Sequence, residues 1–400
     1  MKVLHVVPSY LPAWRHGGPI RSVHGLCKAL VARGHEVTVY TTDTDLRGRV
    51  PIGTRVDRDG VAVWYFPVRG PRRLYWAPQL RSALRRRIDS FDVVHLHSVF
   101  LPPTATAAGV ARHAGTPYLL APRGMLVADL LRRRGRLRKT LWIRFVERRT
   151  LRHAAVLHAT SELEGEEARA LASELGIALP PVVVLPNGVD EEADHVRAVL
   201  QPAVAAALER QPLVLFLGRL SWKKGLDRLV AALPHAPGAT LAIAGGDEEA
   251  IGPRLRELAR RRGVSERVLF LGEVQGADRT ALLHRAAVVA LTSYSENFGN
   301  AALEAMAAGT PVLLTAEVGL AAEAGAAGAA LVAAAEPTAL GGALAALLAD
   351  PARREAMGKR GRDLVAARYR WAPIAAAVER VYLDVLRPSL QTRRAVEVRA

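Results

Sequence analysis

Two glutamates, Glu296 and Glu304, stand with seven residues between them in the stretch Ser293-Tyr-Ser-Glu-Asn-Phe-Gly-Asn-Ala-Ala-Leu-Glu304. The apolar run before it, 287–291, reads as a strand. The Ala-rich run after it, 301–308, reads as a helix, because Ala is the best helix former. Glu296 then falls in a strand-to-helix loop and Glu304 about one turn inside the helix, so both carboxylates can face one cleft at the C-terminal end of a parallel sheet. Gly299 allows close approach of a ligand to the backbone, and the N–H groups of the new helix point toward it. Taken alone, the pair reads more readily as a capping carboxylate and a solvated helical glutamate. A second loop adds weight: Gly218-Arg-Leu-Ser-Trp-Lys-Lys-Gly225 follows the apolar run 213–217 and precedes a helix-like run at 226–233. Arg219 offers a fork of donors and Lys224 a point charge, a combination that suits a diphosphate. Both loops together point to a nucleotide-sugar site.

The elements that must hold these loops repeat along the chain. Strand-like runs at 3–7, 36–41, 61–66, 93–97 and 118–121 alternate with helical runs at 19–33 and 79–88. Leu179-Pro-Pro181 begins a boundary, and 182–185 reads as a strand. Further strands are expected at 213–217, 240–244, 268–271, 288–291 and 311–314. Short apolar strands alternating with helices imply an α/β chain with doubly wound parallel sheets. Two such domains would face a ligand cleft across the carboxyl ends of their strands.

These motifs, in this order, resemble the retaining nucleotide-sugar glycosyltransferases of family four, of polysaccharide-biosynthesis type. The resemblance spans nearly the whole chain. It rests on Gly17-Gly18 after the first strand, Asp92-Val-Val-His-Leu-His97, Pro186-Asn-Gly-Val-Asp190, Gly218-Arg219 with Lys224-Gly225, and the two glutamates. It implies the GT-B fold: two Rossmann-like domains facing a cleft, here 1–180 on the acceptor side and 181–372 on the donor side. A helix and tail at 373–400 would cross back to the first domain. It also implies roles. Arg219 and Lys224 would hold the diphosphate and stabilise its charge as the sugar leaves, which can replace a metal ion. Glu304 would bind the ribose hydroxyls and Glu296 a sugar hydroxyl. Backbone N–H groups around Phe298, Gly299 and Asn300 would contact sugar or phosphate, and those of Gly17 and Gly18 would complete the diphosphate cradle. Catalysis is thus expected to rest on Arg219, Lys224 and Glu296, without a metal site or a cofactor beyond the donor. Many relatives carry a histidine where this chain has Arg123. Arg123 and His97 are therefore candidate contacts to the acceptor or transferred sugar, and His97 reads equally as a hydrogen-bonded core residue.

Composition bounds the rest. Half of the 400 residues are apolar, enough for two cores. A lone cysteine, Cys27, fits a reducing compartment. The start of the chain, Met1-Lys-Val-Leu-His-Val-Val-Pro8, reads as a buried strand rather than a secretory leader. The expectation is a cytoplasmic protein without a spanning helix. Charge is lopsided: residues 1–185 hold 29 Lys and Arg against 14 Asp and Glu, a net of +15, while 186–400 hold 26 against 24, a net of +2. Such an excess points to an anionic partner or to an Arg-rich composition. A basic amphipathic helix around 132–152, with Trp142 among its apolar residues, suits an anionic bilayer surface or a core-facing helix with a solvated basic side. The expected partners are a nucleotide sugar, a glycan or lipid-linked acceptor and the inner face of a membrane, with no nucleic acid. Two other readings are a GT-B sugar-nucleotide epimerase, which the paired glutamates disfavour, and an inactive GT-B frame that binds a membrane or nucleic acid.

Overall fold

The computed structural model describes residues 1–13, 18–127, 142–190 and 199–397, with side chains described as far as residue 387. The chain forms two compact units, Met1–Gly188 with Trp371–Ala400, and Val189–Arg370. Gly17 and residues 132–141 of the expected basic helix lie outside the described residues.

The sheet of the first unit contains β1 (Lys2–Val6), β2 (Glu36–Thr42), β3 (Arg55–Arg58), β4 (Val61–Phe66), β5 (Val93–His97), β6 (Tyr118–Ala121), β7 (Val156–Ala159) and β8 (Val182–Val184). Their order is β3-β4-β2-β1-β5-β6-β7-β8. The central strands are buried almost throughout because helices cover both faces, which is why they read as unbroken apolar runs. The sheet departs from the expected parallel pattern at one edge, where β3 pairs antiparallel with β4. β3 carries Arg55, Asp57 and Arg58 in alternating exposure, so no apolar run marks it. The expected boundary at 180/181 is also corrected. β8 pairs in parallel with β7 and so belongs to the first unit, and the crossing falls at Gly188.

One face of this sheet is covered by α1 (Gly18–Ala32) and by the terminal helix Trp371–Glu397. Ile374, Val378 and Tyr382 recur every four residues on that helix and are buried in the same core as Leu26 and Cys27. Glu379 ties it to Arg33 and to His35, the latter at 3.2 Å. The helix starts at Trp371, two residues before the expected 373. The Trp371 ring lies over Gly25 and Gly188, where an added Cβ would overlap the indole. The opposite face carries α2 (Pro78–Arg87), α3 (Pro102–Ala114), α4 (Arg148–Arg152) and α5 (Glu162–Glu174).

The second unit holds α6 (Pro202–Leu208), β9 (Leu213–Leu217), α7 (Leu226–Ala232), β10 (Thr240–Ala244), α8 (Gly252–Arg261), β11 (Val268–Gly272), α9 (Gly276–Arg285), β12 (Val288–Leu291), α10 (Asn300–Ala308), β13 (Val312–Leu314) and β14 (Ala330–Val332). The strands run in parallel in the order β11-β10-β9-β12-β13-β14. Going from β9, the chain winds one way to β10 and β11 and the other way from β12. The β9/β12 junction is therefore the topological switch point, where ligands bind in open α/β sheets. In the first unit the same reversal lies between β1 and β5. Among the described residues no helix is long and apolar enough to cross a membrane.

Candidate active site

The two loops that carry the candidate donor-binding residues leave the paired strands β9 and β12, at the switch point itself. The first ends in a 3-10 turn, Trp222–Lys224, closed by Gly225 in the left-handed region (φ 61°). Only glycine fits there, since a Cβ would overlap the Thr292 carbonyl oxygen at the root of the second loop. Thr292 Oγ1 donates to the Gly225 carbonyl at 2.8 Å, and the Tyr294 N–H donates to the Lys223 carbonyl at 2.6 Å. Three contacts thus lace the loops together. The result is an ion pair between Lys224 Nζ and Glu296 Oε2, with both side chains largely enclosed. Partial burial strengthens such a pair relative to open water.

Glu296 is fixed by its own backbone. Its N–H donates to the Glu317 carbonyl at 3.0 Å and its carbonyl accepts from Gly319 at 2.8 Å, which ties the loop to the one after β13. Gly299 (φ 104°) starts α10, and no side chain caps the helix. Phe298 is 2 % exposed and its ring packs edge-on against Tyr369 at 5.9 Å, so only its backbone can serve a ligand. Glu304, on α10, forms an ion pair with Arg279 of α9. Arg219 is exposed and makes no ion pair among the described residues, so its guanidinium is available to an anion. Sequence reasoning missed Arg228 and Tyr294. The Arg228 guanidinium lies 3.6 Å from the Tyr294 ring centroid, and Tyr294 Oη donates to Asp227 Oδ2 at 2.8 Å. Burial, then Asp227, raises the Tyr294 pKa, so the phenol stays a donor. This clamp joins α7 to the Glu296 loop through residues whose spacing in sequence gives no sign of it.

In the first unit Gly18 opens α1 ahead of Pro19, as the turn signal implied. His97 and Arg123 come together, but not as an open contact site. Arg123 Nε and Nη2 donate to His97 Nδ1 at 3.4 and 3.3 Å, and Nη1 donates to Asn187 Oδ1 at 2.7 Å. His97 is 1 % exposed. Both of its nitrogens are taken, because Nε2 meets His5 Nδ1 at 2.9 Å. His97 is therefore withdrawn as a substrate contact; it positions Arg123. The Pro186-Asn-Gly motif gains a physical reason here: Asn187 braces Arg123, and Gly188 makes room for Trp371.

His5, His95 and His97 bring ring nitrogens within 4.8 Å of one another, a spacing that would suit a metal ion. Hydrogen-bond polarity assigns them otherwise. Arg123 can only donate, so His97 Nδ1 accepts, His97 Nε2–H donates to His5 Nδ1, and His5 carries its proton on Nε2. At the other end the Leu185 carbonyl can only accept, so His158 Nε2–H donates to it at 2.8 Å. His158 Nδ1 then accepts from His95 Nε2–H at 3.1 Å, and His95 Nδ1 accepts from Tyr382 Oη at 2.8 Å. Every imidazole is neutral. Desolvation first, then neighbouring imidazoles and Arg123, hold His95 and His97 well below the ordinary histidine range, and push His5 and His158 down to about 3. Burial lowers Arg123 to about 10, which leaves it charged at neutral pH.

Residues 17–188 match the model of a glycosyl transferase 4-like domain, and 201–364 match that of glycosyl transferases group 1. A protein of Mycobacterium tuberculosis named glycogen synthase is 30 % identical over 98 % of this chain and 96 % of its own. The chain belongs to the family-four type of GT-B glycosyltransferases. A second relative, the GDP-mannose:cellobiosyl-diphosphopolyprenol alpha-mannosyltransferase of Xanthomonas oryzae pv. oryzae, is 30 % identical over 78 % of each chain. HepE of Anabaena, solved with UDP and glucose, superposes with a TM-score of 0.73 at 19 % identity, covering 96 % of this chain and all of that one. The GT-B glycosyltransferase uses a nucleotide sugar, and the two laced loops are its candidate donor site.

Proposed function

We propose that this glycosyltransferase retains the anomeric configuration of the donor and works without a metal ion or a further cofactor. In this reading it transfers a sugar from a nucleotide diphosphate to a hydroxyl of a glycan or lipid-linked acceptor, in surface polysaccharide assembly at the cytoplasmic face of a membrane. The observation that carries the reading is the Lys224–Glu296 pair at the β9/β12 switch point, with exposed Arg219 on the same loop. Lys224 and Arg219 supply positive charge where the departing diphosphate builds negative charge, the task a divalent ion performs elsewhere. Glu296 holds Lys224 until the donor arrives and then accepts from a sugar hydroxyl. The mannosyltransferase relative, named for a diphosphopolyprenol acceptor, supports the lipid-linked class. Arg123, held by His97 and Asn187, keeps further N–H donors for an oxygen of acceptor or sugar.

A thermal-shift screen over nucleotide sugars identifies the donor, since a ligand bound to the native state raises the melting temperature. Turnover with that donor is expected to persist in excess chelator, and the product anomer, read by NMR, to match the donor. Loss of activity in chelator with rescue by a divalent ion, or an inverted product, would refute the mechanism.

The two glutamates separate the roles further. Glu304→Gln is expected to weaken the bare nucleotide diphosphate by about tenfold, the worth of a charge-assisted hydrogen bond to a ribose hydroxyl. Glu296→Gln is expected to leave nucleotide affinity equal or stronger, because it frees Lys224, while transfer falls. Calorimetry with nucleotide alone, beside rates with the full donor, checks both. Equal loss of nucleotide affinity in the two variants would sink the division.

A further inference from the structure

The excess charge of the first unit is not spread over its surface. Within residues 69–90, 102–115 and 142–153 the chain carries seven, one and four arginines, all of them exposed. The acidic residues in these segments are Asp89 and the buried Glu147. The segments form one layer. α2 packs beside α3, α3 beside α4, and Leu80, Leu84, Ala107, Ala111, Ile143 and Leu151 pin all three to the same core. The neighbouring α5 is acidic on balance, with Glu162, Glu166 and Glu174 exposed beside a single exposed arginine, Arg169, so the net positive field ends where α5 begins. A charge excess arising from composition alone would not change sign at a helix boundary.

Large apolar side chains are exposed at both margins of that field. Leu74 is 50 % and Trp76 53 % exposed, in a loop closed by the hydrogen bond from Arg69 N–H to the Trp76 carbonyl, just ahead of α2. Phe145 is 64 % exposed, in the helical turn just ahead of α4. Trp142, in a segment that suits either a bilayer surface or a core by sequence, is not among these exposed side chains. It is half-buried, and its Nε1–H donates to the buried carboxylate of Glu147 at 3.0 Å. Crossover helices run antiparallel to the strands they connect, so their beginnings lie at the C-terminal edge of the sheet, where α/β domains bind ligands. Leu74, Trp76 and Phe145 all stand at that edge.

We propose that the α2–α3–α4 layer docks this enzyme on a bilayer of anionic phospholipid. The arginines meet headgroup phosphates, while Leu74, Trp76 and Phe145 enter the interfacial zone. A soluble polyanion would satisfy the arginines but leave the three apolar side chains in water; a bilayer surface satisfies both. The inference rests on the peripheral-membrane part of the function proposed above, not on the donor chemistry.

Co-sedimentation of the full chain with phosphatidylcholine vesicles, with and without phosphatidylglycerol, tests it. Wild type is expected to pellet with the anionic vesicles only. Arg81→Glu, Arg85→Glu and Arg86→Glu together remove three attractive charges, which lowers the partition coefficient by about a hundredfold or more. Arg87 is left in place because it stacks on Trp64. Leu74→Ser, Trp76→Ser and Phe145→Ser together are expected to keep binding at low salt and lose it at physiological salt, as a purely electrostatic contact does. Thermal melts confirm that each variant is folded, and donor turnover in solution is expected to be unchanged in both. Wild type that ignores anionic vesicles, a charge variant that pellets like wild type, or preferential capture by a single-stranded oligonucleotide would each overturn the proposal. A wild type that pellets as expected but turns over no nucleotide sugar would instead refute the enzymatic reading alone.

Discussion

Lys224→Ala is expected to lower donor turnover by more than Arg219→Ala, although each removes one positive charge from the same loop. Loss of one preorganised contact to a leaving group costs on the order of a hundredfold to a thousandfold in rate, and Arg219→Ala should fall in that range. Lys224→Ala does further harm. Glu296 and Lys224 are paired in the native protein, and both are largely enclosed. Removing the lysine leaves the glutamate charge uncompensated beside the incoming diphosphate, which it repels. The double variant Lys224→Ala, Glu296→Gln separates the two effects. Nucleotide affinity, measured by calorimetry, is expected to recover part of the loss seen in Lys224→Ala, while turnover stays low. The coupling between two residues in contact is what such a cycle measures. Near-normal turnover in both single variants would remove these loops from the active site. A double variant that binds nucleotide no better than Lys224→Ala would show that the pair is not coupled. Neither variant should unfold the unit, since the core under the loops is built from β9 and β12 residues such as Leu215 and Val289, far from either side chain in chemistry and burial.

How much of this site the sequence disclosed depended on the range of the interaction. Strands buried on both faces appear as apolar runs, so β5, β9 and β12 were legible, together with the loops that leave them. The positions of Lys224 and Glu296 followed from those loops and from glycines that permit left-handed backbone. Elements without an apolar run did not show. β3 is charged and lies at an edge, and β14 is three residues inside an Ala-rich stretch. Side-chain partners were the least visible. Arg123 and Asn187 are 64 residues apart, and His95 and Tyr382 are 287 apart. Nothing local in a chain announces such a pairing. His97 shows the consequence: at the end of a strand its two readings were equal, and burial with both nitrogens occupied decided between them. Trp142 is a local counterpart: its indole N–H donates to Glu147 only five residues on, a pairing that the apolar pattern of the segment does not disclose.

The buried imidazole chain gives the second large effect, acid lability confined to the first unit. His5, His95, His97 and His158 are neutral in the fold, and each is held below the ordinary value near 6.5. In the unfolded chain the same four groups take up protons as pH drops through about 6.5. The unfolded state therefore binds more protons than the native state below that pH, and stability falls as pH falls. Above pH 7 all four are neutral in both states, and they contribute no slope. The decline begins near pH 6.5 and continues toward about 3, where His5 and His158 begin to titrate in the fold. Each imidazole lowers stability by about 1.4 kcal/mol per pH unit within that window. Four of them acting together consume a typical domain's stability, about 5–15 kcal/mol, within roughly one to three pH units. The second unit has no buried histidine among its described residues, so this term is absent there. Hydrogen exchange read by mass spectrometry at pH 8 and pH 5, corrected for the intrinsic rate, is expected to show β1, β5 and β7 losing protection in acid while β9 and β12 keep theirs. His158→Gln should reduce the pH slope by one histidine's share even if it lowers stability at neutral pH, because the slope counts protons and not contacts. Equal loss of protection in both units, or a slope unchanged in His158→Gln, would mean that the four imidazoles are not the groups that bind the protons.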